Sequence, residues 1–328
     1  MLKILGKLTC LAIVASFAIS STNYAVAAKK PFGEWLIDLK AEARANGISQ
    51  PIIDDAFKNV KFKEKIISLD RKQPEVTQTF QQYMSKRLPK SLINQGKARL
   101  QKHAAILKEV EKKYGVQPRF VVALWGVETR FGKYTGGFNV VEALTTLAYD
   151  NRRADYFRKE LMIALQILEE KHITVGNMKG SWAGAMGQAQ FMPSSFINFA
   201  VDHDEDGRRD IWTTKPDVFA SAANYLAQSG WKGDQTWGRE VKLNEGFDLS
   251  LISLKIQKPM QEWQDLGVRK TDGSALPARQ LVGSLVQPKG GAGQTFLIYN
   301  NYRTILKWNY STYFAMSVGQ LADRLVSP

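Results

Sequence analysis

The chain has 328 residues, 44% hydrophobic and 23% charged, with 25 Gly and 11 Pro. That composition excludes a disordered chain, a collagen-like repeat and a disulfide scaffold, and the length suffices for a sizeable core. Lys and Arg total 45 against 31 Asp and Glu, and the formal charge of +14 points to an anionic partner: nucleic acid, a membrane surface or an acidic polymer.

In chain order, Lys3 and Lys7 precede an apolar run from Leu8 to Ile19, and Ala25, Val26 and Ala27 close the segment. A charged start, a short apolar stretch and an A-x-A end make a secretory signal peptide over residues 1–27. The alternative is an uncleaved anchor, but the run is too short to span a bilayer comfortably. Cleavage removes two Lys and no acid, leaving +12. The single cysteine, Cys10, lies inside this peptide, and Thr9 before it fits a lipoprotein signal poorly. Without Cys10 the mature chain has no thiol, which excludes cysteine nucleophiles, disulfides and thiolate metal sites. Export points to the periplasm, and there to a polymer rather than nucleic acid. No later stretch is long and apolar enough to cross a membrane, so a soluble protein is expected, not an integral membrane one.

Residues 28–115 read as an N-terminal helical region. Ser49 and Pro51 mark a helix start, and Leu88-Pro89 a break. From 116 the pattern stays helical: one helix starts at Gln117-Pro118 and stops at Gly132, and others cover about 156–171, 193 onward and 217–229. Residues 202–217 form an acidic loop. The character changes by 246. Segments 251–257, 281–287 and 295–299 read as strands of a small β region over 246–300, with a hairpin break at 288–293. Residues 301–328 return to helix. The predicted class is α+β by segregation, predominantly helical.

Glu128 ends the run Phe120-Val121-Val122-Ala123-Leu124-Trp125-Gly126-Val127, which is apolar on nearly every side and so reads as a buried helix. A carboxylate there is either desolvated, with a raised pKa suited to general acid catalysis, or a surface group paired with Arg130 or Lys133. The stretch from Ser181 to Ser195 is rich in Gly and Ala, which allow close backbone approach. Its Gln188 and Gln190 can hydrogen-bond an acid or a sugar, or the stretch can be a tight packing turn. His103, His172 and His203 are scattered, against Ser-His-Asp and zinc chemistry.

Two motifs in order, Glu128-Thr129-x-Phe131-Gly132 and Gly184-Ala185-Met186-Gly187-x-x-Gln190-Phe191-Met192-Pro193-Ser194-Ser195, resemble the B-type lytic murein transglycosylases. The resemblance runs from about Trp35 to the C-terminus and includes Asp150 to Phe157, Ala222-Ala223-Asn224-Tyr225-Leu226 and Asn309-Tyr310-Ser311 with Tyr313, Ala315 and Met316. It implies a lysozyme-like catalytic core over 116–245. That core would cleave the bond between N-acetylmuramic acid and N-acetylglucosamine in peptidoglycan glycan strands without water, leaving 1,6-anhydromuramic ends. Glu128 would act as acid and then base. Ser181 and Gln190 would line the site, with Asn309 near the acid or the N-acetyl group. Arg152 and Arg153 would pair carboxylates of the muramyl peptide. Tyr225, Trp182 and Trp308 are candidate groove aromatics. Where the family carries Tyr before the Asn this chain has Trp308, so a hydroxyl role there is lost or passes to Tyr310. The rival readings are a hydrolytic muramidase, whose second carboxylate would be Glu142, Asp150 or Asp155, and a noncatalytic wall-binding scaffold.

The acidic loop follows the opening of an EF-hand: Asp202, Asp204 and Asp206, then Gly207, the Arg208 carbonyl and Asp210. The twelfth position is Thr213 rather than Glu. By the resemblance, which includes a lengthened loop, Asp217 closes it. The alternative is a solvated acidic turn. The expected ion is calcium, weakly held and structural; no organic cofactor is indicated.

Overall fold

The computed structural model describes residues 30–72, 78–289 and 293–327. The proposed signal peptide and part of the 288–293 break lie outside the described residues. Among the described residues no helix is long and apolar enough to cross a membrane.

Six helices come first: α1 (Phe32–Ala45), α2 (Gln50–Phe57), α3 (Glu64–Arg71), α4 (Phe80–Arg87), α5 (Lys90–Lys102) and α6 (Ala104–Tyr114). The expected punctuation holds. Pro51 sits in the first turn of α2, and Leu88-Pro89 separates α4 from α5, since Pro disfavours helix in the residue before it. The middle of the chain supplies α7 (Pro118–Thr129), β1 (Phe138–Asn139), α8 (Val140–Tyr149), α9 (Ala154–Glu169), β2 (Lys179–Gly180), α10 (Pro193–Phe199) and α11 (Lys215–Gln228). The last third holds β3 (Gly238–Leu243), β4 (Lys258–Pro259), α12 (Met260–Asp265), β5 (Val268–Lys270), β6 (Val282–Val286), β7 (Thr295–Ile298), α13 (Asn300–Trp308) and α14 (Thr312–Val326).

These elements surround three apolar cores. The first gathers α4 to α7 with α11, α13 and α14. The second gathers α1 to α3 with α8 to α10 and the loop around Met186 and Phe191. The expected N-terminal region is therefore not one packing unit. Its first three helices cover one core and its last three the other, because each helix buries its apolar stripe against whichever neighbour lies beneath it.

The third core lies under the sheet, whose strands run antiparallel in the order β4-β6-β7-β3-β5. The sheet begins at Gly238, ahead of the expected boundary at 246. All four residues of β7 are buried. Phe296 and Ile298 face the first core while Leu297 faces the third, so the period of two divides them between cores rather than between core and solvent. The strand expected over 251–257 is absent. Asp248 caps a 3-10 turn over Leu249–Leu251, and the following chain is irregular, its Leu251, Ile252 and Ile256 tucked against the third core. Apolar anchors at near-alternate spacing serve a wrapped loop as well as a strand.

Candidate active site

Helix α7 runs through the first core with every residue from Phe120 to Val127 buried. Glu128 falls on its last turn, half-buried, just before the chain reverses. The reversal takes three consecutive left-handed residues, Arg130 (φ 47°), Phe131 (φ 62°) and Gly132 (φ 81°). This explains the Glu-Thr-x-Phe-Gly pattern residue by residue. Thr129 Oγ1 accepts from the Gly132 amide at 3.0 Å and lies 3.1 Å from the Gln188 carbonyl, to which it donates. The Phe131 ring is buried against Gly126, where a Cβ would sit 2.7 Å from it. Gly132 faces Gln188, so any Cβ there would overlap the Gln188 side chain.

The second motif forms the facing loop. Ser181 Oγ accepts from the Ala185 amide (3.1 Å) and the Ala183 amide (3.3 Å). Met186 and Phe191 pair as an isolated bridge, and Gly187 takes φ 63° with its Cα pressed against the Ile211 carbonyl. Gln188 is buried and committed: its Oε1 accepts from Trp125 Nε1 (2.9 Å) and its Nε2 donates to the Trp212 carbonyl (2.6 Å). Gln190 is half-buried and donates to the Thr135 (3.0 Å) and Gly187 (2.8 Å) carbonyls. Ser194 ties the loop to α9 through Glu160 at 2.6 Å.

These parts meet at the seam between the first and second cores. Trp308, at the end of α13, packs on both. Its indole Nε1–H donates to Glu128 Oε1 at 2.8 Å. Its ring lies 4.7 Å from Tyr225 and 5.2 Å from Phe191. Tyr225 in turn donates its hydroxyl to the Lys307 carbonyl (2.7 Å). A small pocket against Glu128 is lined by Val121, Leu124, Gln188, Ala189, Phe219 and Trp308, with no second acid among its lining residues. Desolvation in these apolar surroundings pushes the Glu128 carboxyl up to about 7; the Trp308 N–H and the Arg87 charge pull the other way.

Two participants escaped the sequence reading. Arg87 ends α4, its Nε buried without a hydrogen-bond partner. The donor on Glu128 comes from Trp308 rather than from the exposed Tyr310, which is 90% accessible. The sequence marked Trp308 as a candidate groove aromatic and as the residue standing where the family carries Tyr, but not as the donor.

The other candidates do not touch Glu128 in the contacts observed. Asn309 is exposed beside Trp308. Trp182 is half-buried against the second core. Arg152 and Arg153, at the turn between α8 and α9, both bond Asp70 of α3, at 2.9 and 2.6 Å. Asp70 is 1% exposed, whereas each arginine keeps close to half its side chain open. Glu142 accepts from the Lys61 amide and pairs with Lys63, Asp150 pairs with Arg71, and Asp155 opens α9 at a surface groove with Arg158. None of these three borders the Glu128 pocket.

In the acidic loop the five expected carboxylates separate into two sets. Carboxylate oxygens of Asp202, Asp204 and Asp217 lie within 4.8 Å of one another. Asp206 instead turns to Arg208, accepting from its amide and its guanidinium at 2.9 Å each. Asp210 caps the entry to α11, accepting from the Trp212 and Thr213 amides (2.8 Å each) and from the Thr213 and Thr214 hydroxyls. Asp217 accepts from the His203 and Asp210 amides, at 2.7 Å each. Burial, helped by neighbouring Asp204 and Asp202, raises its carboxyl. The Arg208 bond holds Asp206 low. At Asp210 burial opposes ionisation, but the Thr213, Trp212 and Thr214 bonds outweigh it.

Residues 31–323 match the family model described as the transglycosylase SLT domain. The chain is 35% identical over 223 residues to membrane-bound lytic murein transglycosylase B of Escherichia coli K12, a match covering 64% of this chain and 57% of that protein. It superposes on SltB3 of Pseudomonas aeruginosa in complex with NAG-NAM-pentapeptide with a TM-score of 0.88 and 43% identity, covering 91% of this chain and 80% of that one. It also resembles the Escherichia coli lytic transglycosylase Slt35 in complex with calcium, with a TM-score of 0.76 and 28% identity, over 91% and 93% of the two chains.

Proposed function

The chain belongs to the transglycosylase SLT domain family, and on that premise we propose that it is a lytic transglycosylase of peptidoglycan. It cleaves the MurNAc-GlcNAc β-1,4 bond and leaves 1,6-anhydromuramic acid. One observation carries the reading: a carboxyl raised to about 7 by desolvation, beside a small apolar pocket among whose lining residues it is the one acid. Protonated near neutral pH, Glu128 gives its proton to the glycosidic oxygen as positive charge develops at the muramic anomeric carbon. The resulting carboxylate takes the proton of the muramic C6 hydroxyl, whose oxygen closes the anhydro ring. An internal hydroxyl outcompetes water because it is held in reach. Glu142 and Asp150 are bonded elsewhere and Asp155 lies at a separate surface groove, which favours this route over a hydrolase that activates water with a second carboxylate.

Ser181, Gln190, Tyr225 and Asn309 line the groove around this centre. Gln190 and Ser181 present it already anchored to backbone groups, so little ordering remains on binding. Arg152 and Arg153 receive carboxylates of the stem peptide. A guanidinium has five N–H donors and each uses one nitrogen on Asp70, so both retain donors for substrate. The acidic loop fits calcium, a hard cation that takes carboxylate oxygens. Asp202, Asp204 and Asp217 would hold it, and it would pin the loop to α11 and play no part in bond cleavage. Residues 1–27 direct the chain to the periplasm.

Mass spectrometry of muropeptides released by the purified protein tests the chemistry. Products one water lighter than hydrolysis products, ending in 1,6-anhydromuramic acid, are expected; reducing ends would establish a hydrolase instead.

A further inference from the structure

We propose that Trp308 divides the two carboxyl oxygens of Glu128 between separate tasks: Oε1 is held by the indole N–H, while Oε2 carries the proton and performs both transfers. The inference deepens the single-carboxylate reading above and rests on it. An indole Nε1–H is a donor with no accepting lone pair. In a protonated carboxyl the hydroxyl oxygen is the weaker acceptor, so the N–H on Oε1 at 2.8 Å favours the proton on the other oxygen. The protonated acid that keeps this bond therefore carries its hydrogen on Oε2.

The surroundings keep Trp308 in place. Its ring packs against Tyr225 and Phe191, and the Tyr225 hydroxyl holds the carbonyl of Lys307 next to it. The elements packed around Glu128 offer little else that could compete for Oε1. Helix α11 contributes Val218, Phe219 and Ala222, and its Lys215 lies over the Trp125 ring. The facing loop contributes Ala189 and Gln188, whose amide is already bonded to Trp125 and Trp212. The charge that reaches Glu128 is that of Arg87 on α4. Trp308 is thus a positioning residue. In the reaction the Oε2 proton passes to the glycosidic oxygen as the C1–O bond breaks, and the alcohol leaves neutral. The C6 oxygen then bonds C1 and its proton returns to Oε2, so no other reactant is needed.

The test compares pH profiles of kcat/KM for the full mature protein, Trp308→Phe and Trp308→Tyr. Phe keeps an aromatic ring against Tyr225 but removes a donor that favours the carboxylate. Its alkaline limb should move up by roughly one pH unit and its kcat fall roughly tenfold with KM little changed. Tyr restores a donor, and the limb should return to within a few tenths of a unit, roughly the wild-type position. An unmoved limb in the Phe variant, or a Tyr variant behaving like Phe, would overturn the assignment. Should Phe fail to fold, the wild-type protein still decides. The Trp308 indole proton resonance, identified by its absence from the Tyr variant, should titrate at the midpoint of the alkaline limb, and a flat resonance overturns the proposal. Reducing ends among the products would sink the transglycosylase reading, whereas the limb and the indole resonance judge Trp308 separately.

Discussion

At Glu128 a carboxyl stands among Val121, Leu124 and Phe219 with one N–H donor, from Trp308. At Asp210 the carboxyl of a residue only 5% exposed accepts from two amides and two hydroxyls. Both are desolvated, yet the first is raised to about 7 and the second lowered. Burial alone does not decide what a carboxylate does; the donors aimed at it count as well. A carboxyl starved of donors holds its proton until a substrate arrives, whereas one saturated with donors stays ionised and organises backbone. The acidic loop uses the second arrangement at Asp210 to hold the entry to α11, whereas at the seam between the cores the first keeps Glu128 protonated to higher pH.

The largest expected effect breaks the first half of that contrast. Glu128→Gln keeps the shape and removes the proton, and release of muropeptides should fall roughly 10²- to 10⁴-fold while the fold persists. A scaffold would be indifferent. Stability gives an independent check. The folded carboxyl titrates above its ordinary value of 4.5, so the folded state holds more protons and wild-type stability falls as pH rises from 4.5 through about 7. The shift corresponds to roughly 3 kcal/mol at most. Glu128→Gln lacks this slope, so unfolding at pH 5 and pH 8 should show its advantage growing with pH. A constant gap would refute the raised pKa.

The second half is broken by Asp210→Ala, which strands the Trp212 and Thr213 amides and two hydroxyls at the entry to α11. The expected loss is roughly 2–4 kcal/mol in urea unfolding, with the alkaline limb of activity unmoved in the protein that remains folded. A smaller effect sharpens the cation side. Calcium at about ten times a weak Kd should stabilise the wild-type protein by roughly 1.4 kcal/mol. Asp217→Asn should abolish the increment, read as a calcium-dependent rise in Tm. An equal rise in the variant would place the ion elsewhere.

The two regions also differed in how far they could be read from sequence. The helix carrying Glu128 was legible because an all-round apolar run has only one stable environment. The acidic loop was legible as a pattern, but not which carboxylates converge. Asp206 and Asp210 obey the spacing and yet bond Arg208 and the Thr213-Thr214 turn, a competition that spacing does not encode. Likewise Arg152 and Arg153 carry no sign of Asp70, which reaches them from a helix far earlier in the chain. The split of the first six helices between two cores, and the partition of β7 between first and third, depend on which layers meet, and every apolar stripe satisfies several arrangements. The strand misread at 251–257 shows the same ambiguity in a short apolar run.

Arg87 tests the contrast at its finest. Among the described residues its charge is the one that acts on Glu128, and it lowers the carboxyl rather than raising it, moderating desolvation as donors do at Asp210. Arg87→Met preserves much of the apolar stem at the end of α4 while removing the charge. The protonated acid then persists to higher pH, so the alkaline limb of kcat/KM should move up by about 0.3–0.5 of a unit, consistent with a partly screened charge. The shift should shrink in high salt if the guanidinium acts through solvent, and survive it if the path runs through the apolar pocket. A limb moving to lower pH would mean that Arg87 favours the protonated acid, and the account of how this carboxyl is kept poised near 7 would have to be rebuilt around another group.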